Sequence, residues 1–164
     1  MKLKRVIVTG GCGFIGSHLV DLLLTEGISV TVIDNFSTGR PQNLEHQKSN
    51  KLLSVVQADI AEYASIERYF AGAEAVFHLA ALADIVPSIE RPGDYHRANV
   101  DGTFNVLTAA HAHGVKRFVY TASSSCYGIP DNVPTKETDE IRPQYPYALT
   151  KWVGEQYMLH WAKV

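Results

Sequence analysis

The 164 residues, 46% hydrophobic and 20% charged, are one globular domain's worth of chain with enough apolar material to build a core. A net charge of −2 and seven scattered histidines give no basis for a nucleic-acid partner, an anionic membrane surface or a metal cluster. The opening MKLKRVIVTGG holds an apolar run of only three residues, too short for a signal peptide or a membrane span, so the expected location is the cytoplasm.

Residues 4–9 (KRVIVT) are a short β-branched run that stops at glycines, which predicts a buried strand. Ile15, Leu19, Leu22 and Leu23 then recur at helical spacing, with Gly27 placed to end the helix. A second strand is expected at 28–33, closing on Asp34, followed by a polar loop with a short helix between Phe36 and Asn50. Residues 52–57 predict a third strand, 62–70 a short helix, and 74–79 (EAVFHL) a fourth strand. Val100, Phe104, Leu107 and Ala110 mark the buried face of the next helix, which ends at Gly114. A fifth strand at 116–121 leads to a loop with Pro130, Pro134, Pro143 and Pro146, and a last helix runs from Tyr147 to Val164. Strands alternating with helices predict an α/β fold, a doubly wound parallel sheet with helices on both faces.

The motifs fall where strands end, which is where an open α/β sheet binds ligands. After the first strand comes Gly10-Gly11-Cys12-Gly13-Phe14-Ile15-Gly16. Glycines allow a sharp turn and close approach of the backbone to a pyrophosphate, and the helix that follows aims its free N–H groups at the phosphates. A glycine-rich turn is sometimes only a tight turn, so its context matters. Asp34 ends the second strand, placed to hold ribose hydroxyls and to repel a 2′-phosphate, which favours NAD over NADP. A turn-capping role is the plainer reading of Asp34, and nearby Arg40 softens the preference without reversing it. Asp59, after the third strand, is placed either to meet an adenine amino group or to cap a helix. Cys12 and Cys126 lie inside such loops, so no disulfide is expected, which fits a reducing compartment.

Beyond the fifth strand stand Ser123, Ser124 and Ser125, and Tyr147-Ala-Leu-Thr-Lys151 opens the last helix. Spacing of i and i+4 puts Tyr147 and Lys151 on one helix face. A phenol titrates near about 10, and a nearby cation favours its ionised form. With a serine hydroxyl opposite, such a pair suits removal of a proton from an alcohol as hydride leaves the same carbon. Tyr-x-x-x-Lys alone is common; the order of glycine loop, Asp34, Asp59, serine loop and Tyr/Lys gives it weight.

VTGGCGFIGSHL, VIDNFSTG, ADI, VFHLAA, ANVDGT, ASSSCYG and YALTK together make the sequence resemble an extended short-chain dehydrogenase/reductase, the group of NAD-dependent nucleotide-sugar epimerases and dehydratases. The resemblance runs from about residue 4 to the C-terminus. It implies a Rossmann-type NAD-binding domain over 1–164 that carries the catalytic residues, with the family's C-terminal substrate domain lying outside this chain. On that ground the 164 residues alone are expected to show little or no turnover. The resemblance assigns cofactor contacts to Gly10, Gly13, Phe14, Ile15, Gly16, Asp34, Asn35, Asp59, Ile60, Leu79, Ala80, Ala81, Asn99, Tyr147 and Lys151. Ser123 is implied as the catalytic hydroxyl beside Tyr147 and Lys151, with Ser124 and Ser125 also able to meet substrate. For His78 a packed, hydrogen-bonded strand position is preferred to a catalytic one. In the resembling 4,6-dehydratases an Asp-Glu pair follows the catalytic hydroxyl, and in the decarboxylases a Glu tends to; here Ser124 and Ser125 stand there, and they cannot do that acid–base work at neutral pH. The chain is therefore most similar to the UDP-hexose 4-epimerases. A reductase, a decarboxylase, an atypical dehydratase or a non-catalytic NAD-binding protein are the alternatives. The family also implies a homodimer through the Tyr/Lys helix, where Trp152, Val153, Tyr157 and Trp161 are apolar; their plainer role is contact within a subunit.

Overall fold

The computed structural model describes residues 3–164. Five strands form one parallel sheet: β1 (Arg5–Thr9), β2 (Ser29–Asp34), β3 (Leu53–Gln57), β4 (Ala75–His78) and β5 (Arg117–Tyr120), in the order β3-β2-β1-β4-β5. Every pairing is parallel, with Val6 opposite Val30 on one side and Ala75 on the other. Parallel neighbours need crossovers, and these are helices. They are α1 (Phe14–Thr25), a 3-10 turn at Pro41–Gln47, α2 (Tyr63–Ile66) continued by a 3-10 turn at Glu67–Phe70, then α3 (Ile85–Glu90), α4 (Pro92–Tyr95) and α5 (Gly102–Ala112). A π-helical stretch, His96–Asp101, joins α4 to α5. The last helix, α6 (Pro146–Trp161), starts on Pro146, whose fixed φ suits a first helical position.

Alternation along the strands fills both faces. Val6 and Val8 of β1 pack with Val30, Val32, Val20, Leu23 and Leu24 on the α1 side; Ile7 joins Ile33, Ile66, Phe70, Val76 and Val106 on the side of α2 and α5. The outer strands are more exposed, with Val55 of β3 42% and Val119 of β5 49% accessible.

The predicted strands and helices stand within a residue or two of their expected places, but three details differ. Phe104 is not buried: it is 40% exposed on α5 and packs edge-on against Tyr157 and Trp161 of α6, at centroid distances of 5.5 and 5.3 Å. On α1, Ile15 and Leu22 face outward, and Val20 and Leu24 join Leu23 in the core instead. Helices α3 and α4, between residues 85 and 95, have no counterpart in the sequence reading. No helix among the described residues is long and apolar enough to cross a membrane.

Candidate active site

The ends of β1, β2, β3 and β4 open into a cleft of ≈ 680 Å³. The topology reverses there, between β1 and β4, and that is the usual ligand position in such sheets. Its floor is the glycine loop. Gly10 has φ +69°, and a Cβ on it would lie 2.7 Å from the Ala80 nitrogen. A Cβ on Gly16 would run into the Gly10 carbonyl oxygen, so only glycine lets α1 start this close to β1. The N-cap of α1 is Gly13, with no side-chain cap and no acid in the first turn. The N–H groups of Phe14, Ile15 and Gly16 are therefore free for an anion, and the helix dipole favours one.

Asp34 is buried at the end of β2, and its two oxygens accept the backbone N–H groups of Cys12 and Phe36, both at 2.9 Å. Asp34 thus caps the turn and also lines the cleft, and each oxygen keeps a lone pair. Gly39 closes over this carboxylate, and a Cβ there would sit 2.7 Å from an Asp34 oxygen. Arg40 is exposed and does not line the cleft.

Asp59 does not cap α2, whose N-cap is Glu62. Its Oδ1 accepts the Ala61 N–H and its Oδ2 the Arg97 guanidinium, each at 2.9 Å. Partial burial raises its pKa, but the Ala61 N–H, Arg97 and the Asn35 amide outweigh that and hold the carboxyl below its ordinary value. Ile60, Leu79, Ala80, Ala81 and Asn35 complete the expected wall.

The cleft also takes in residues that the sequence reading missed, among them Asp84, Arg91, Tyr95 and Arg97. Asp84 and Arg91 flank α3, Tyr95 ends α4 and Arg97 lies on the π-helical stretch, elements with no periodic apolar face to announce them. Such stretches recur at functional sites.

Asn99 lies on this stretch but not on the cleft wall. Its side chain is buried and fully used: Oδ1 accepts the Leu82 N–H at 2.8 Å, and Nδ2 donates to the Leu82 carbonyl and to Thr150 Oγ1, each at 3.0 Å. It ties the loop after β4 to α6.

Ser123, from the loop after β5, and Tyr147, from α6, are brought together. The Tyr147 hydroxyl donates to Ser123 Oγ at 3.3 Å, and Ser123 Oγ also accepts the Ser125 N–H at 3.2 Å. Ser123 is thus the serine paired with the tyrosine. Ser125 orients it through the backbone, and Ser124 is exposed. Lys151 is buried, with its ammonium 4.2 Å from the centre of the Tyr120 ring. The Tyr120 hydroxyl donates to the Lys151 carbonyl at 2.9 Å. Burial pushes the lysine pKa down to about 8, against the smaller upward pull of Cys126 and Glu155.

Behind Lys151 runs a buried polar chain whose protons can be placed. Thr103 Oγ1 donates to the Asn99 carbonyl at 2.6 Å, so at its 2.9 Å contact with His78 Nε2 it can only accept. His78 therefore carries its proton on Nε2, and its Nδ1 accepts from Thr9 Oγ1 at 2.6 Å. Burial and then Lys151 lower its pKa to about 3, which keeps the ring neutral. His78 is a packed strand residue, as expected.

A parallel sheet, an anion-ready glycine turn, a cleft-lining acid and a Ser/Tyr/Lys set define a dinucleotide-binding domain of the dehydrogenase/reductase type. Residues 6–164 match the NAD dependent epimerase/dehydratase family, and the chain belongs to that family. It is 40% identical over 157 residues to UDP-glucose 4-epimerase of Mycolicibacterium smegmatis, covering 94% of this chain and 50% of the relative. It is 42% identical over 137 residues to UDP-glucuronic acid decarboxylase 1 of Arabidopsis thaliana, covering 84% of this chain and 30% of the relative. Among solved structures it superposes with a TM-score of 0.93 and 37% identity on UDP-N-acetylglucosamine 4-epimerase of Methanobrevibacter ruminantium in complex with UDP-N-acetylmuramic acid, covering 99% and 52%. Matched epimerase structures include complexes with NAD. The chain spans about half the length of the curated epimerases it matches.

Proposed function

We propose that this chain is the cofactor-binding and catalytic half of an NAD-dependent UDP-sugar 4-epimerase. The observation that carries the reading is the Tyr147–Ser123 hydrogen bond, together with the serines, not carboxylates, that follow Ser123. An elimination or a decarboxylation by the resembling enzymes draws on an acid at that point; an oxidation and its reversal need none.

The residues present fit NAD. The uncapped α1 N-terminus suits the pyrophosphate, Asp34 the adenosine ribose and Asp59 the adenine amino group. When bound, NAD supplies a hydride acceptor that gives the same hydride back. Tyr147 takes the proton of the sugar 4-hydroxyl while Ser123 holds that oxygen by a hydrogen bond. The 4-keto sugar turns over between the two half-reactions, and Tyr147 returns the proton to the opposite epimer. Lys151, one helical turn from Tyr147, adds a positive charge to the site; at pH 7 it remains mostly protonated with a pKa of about 8. Because NAD is regenerated in each cycle, slow release of the cofactor serves this reaction.

The test is proton NMR of UDP-glucose, UDP-N-acetylglucosamine and UDP-glucuronate, each incubated with NAD and with this chain joined to a substrate half such as its relatives carry. Anomeric signals of a galacto-configured product are expected from at least one. A 4-keto-6-deoxy or decarboxylated product would instead support a dehydratase or decarboxylase.

A homodimer through α5 and α6 is part of the proposal, supported by the aromatic face of Phe104, Tyr157 and Trp161. Sedimentation should give twice the 18.1 kDa monomer mass; a monomer at micromolar concentration would remove it.

A further inference from the structure

One ion-pair bridge lies on the cleft wall. Asp59 stands on the wall after β3, and Arg97 on the wall built by the π-helical stretch. Arg97 Nη1 meets Asp59 Oδ2 at 2.9 Å, and its Nη2 meets Glu62 Oε1 at 2.7 Å. The planar guanidinium thus holds two carboxylates of one loop with separate N–H donors, a geometry that a lysine could not reproduce. The Asn35 amide approaches the same Asp59 from the end of β2. Residues from three elements therefore converge on one carboxylate.

A carboxylate has about four lone-pair positions, and Ala61, Arg97 and Asn35 leave at least one. That remaining position can take an amino hydrogen of an adenine. The bridge fixes where it points. A nucleotide seated there keeps that bond until Asp59 turns, and Arg97 holds Asp59 against turning.

We propose that Arg97 is a retention clasp: by gripping Asp59 and Glu62 from the neighbouring π-helical stretch, it holds Asp59 in place and so sets how slowly bound NAD leaves. This rests on the cofactor reading, in which Asp59 faces the adenine. Arg97 acts through Asp59, so it is a positioning residue. Its side chain is 50% exposed, so its replacement leaves the core untouched.

The experiment is release of NAD from the protein, followed by displacement with excess unlabelled cofactor. Arg97→Met is expected to speed release about fivefold, the scale of one exposed charge pair. Glu62→Gln should speed it less, and Arg97→Lys should recover only part of the loss. Asp59→Asn should also speed release, and adding Arg97→Met to it should change little, because the clasp works through that carboxylate. High salt should narrow the gap between wild type and Arg97→Met, since the pair is exposed and screened. Equal release from wild type and Arg97→Met overturns the clasp, as does full additivity with Asp59→Asn. A wild-type protein that takes up no NAD brings down the cofactor reading as well, and is told apart by that first measurement.

Discussion

Replacing Lys151 with methionine is expected to raise the melting temperature of the protein while removing its reaction. The lysine is only 4% exposed, and burial lowers its pKa from 10.5 to about 8. Those 2.5 units correspond to about 3 kcal/mol of cost for keeping the ammonium in the fold. Methionine keeps the stem and drops the charge. It also loses the desolvated contact with the Tyr120 ring, worth about 2 kcal/mol, so the net gain is about 1 kcal/mol. In a domain of this size that raises the melting temperature by about 2–4 °C. The pH dependence has a definite sign. Below pH 8 the lysine is protonated in both folded and unfolded chains, and the whole cost is present. Between about 8 and 10.5 the unfolded chain binds the extra proton, so wild-type stability rises with pH; above 10.5 the cost is gone. The advantage of the methionine variant should therefore be largest at pH 7 and shrink towards pH 10.5. Thermal melts of both proteins across that range check it, and a methionine variant that melts lower at pH 7 would refute it. A catalytic group held at the expense of stability is a familiar trade-off.

The parts of the fold that sequence made legible share a local cause. β1 and β2 are β-branched runs that must be buried on both faces, and glycines close each βα turn. The glycine loop, Asp34 and the Tyr147–Lys151 spacing each depend on neighbours a few residues away, so their chemistry shows in the linear pattern. Even Phe104 was misread for a physical reason: it keeps the helical spacing of Val100 and Leu107, but its partners are aromatic rings of α6, not the sheet.

What stayed hidden depends on contacts between distant residues. Arg97 and Asp59 are 38 positions apart, and neither shows the other in sequence. Helix α3 has Ile85, Val86 and Ile89 largely exposed and contains Pro87, so no buried stripe marked it. Asn99 looked like a cofactor ligand by resemblance. Its amide proved to be spent across a gap of 51 residues on Thr150, beside its bonds to Leu82. The proton placement on His78 could be deduced only once Thr103 was seen to donate to the Asn99 carbonyl.

Tyr147→Phe is expected to separate binding from chemistry. The ring is held by aromatic neighbours, edge-on to Tyr95 at 6.5 Å and stacked on Tyr145 at 6.4 Å between centroids, and phenylalanine preserves both contacts. The hydroxyl makes one long hydrogen bond, to Ser123, so its loss should cost no more than about 1 kcal/mol of stability. NAD uptake should persist, because the glycine loop, Asp34 and Asp59 lie on other elements. Reduction of bound NAD by a UDP-sugar should instead slow by about 10²–10⁴, the usual contribution of a positioned acid–base group. Ser123→Ala added to Tyr147→Phe should cost little further, because the serine's part is to hold the oxygen whose proton the tyrosine removes. Loss of NAD uptake in Tyr147→Phe would assign the phenol to cofactor binding. Oxidation within tenfold of wild type would place the base elsewhere. The expected pattern, binding kept and oxidation lost, is the one that a non-catalytic NAD-binding protein has no means of producing.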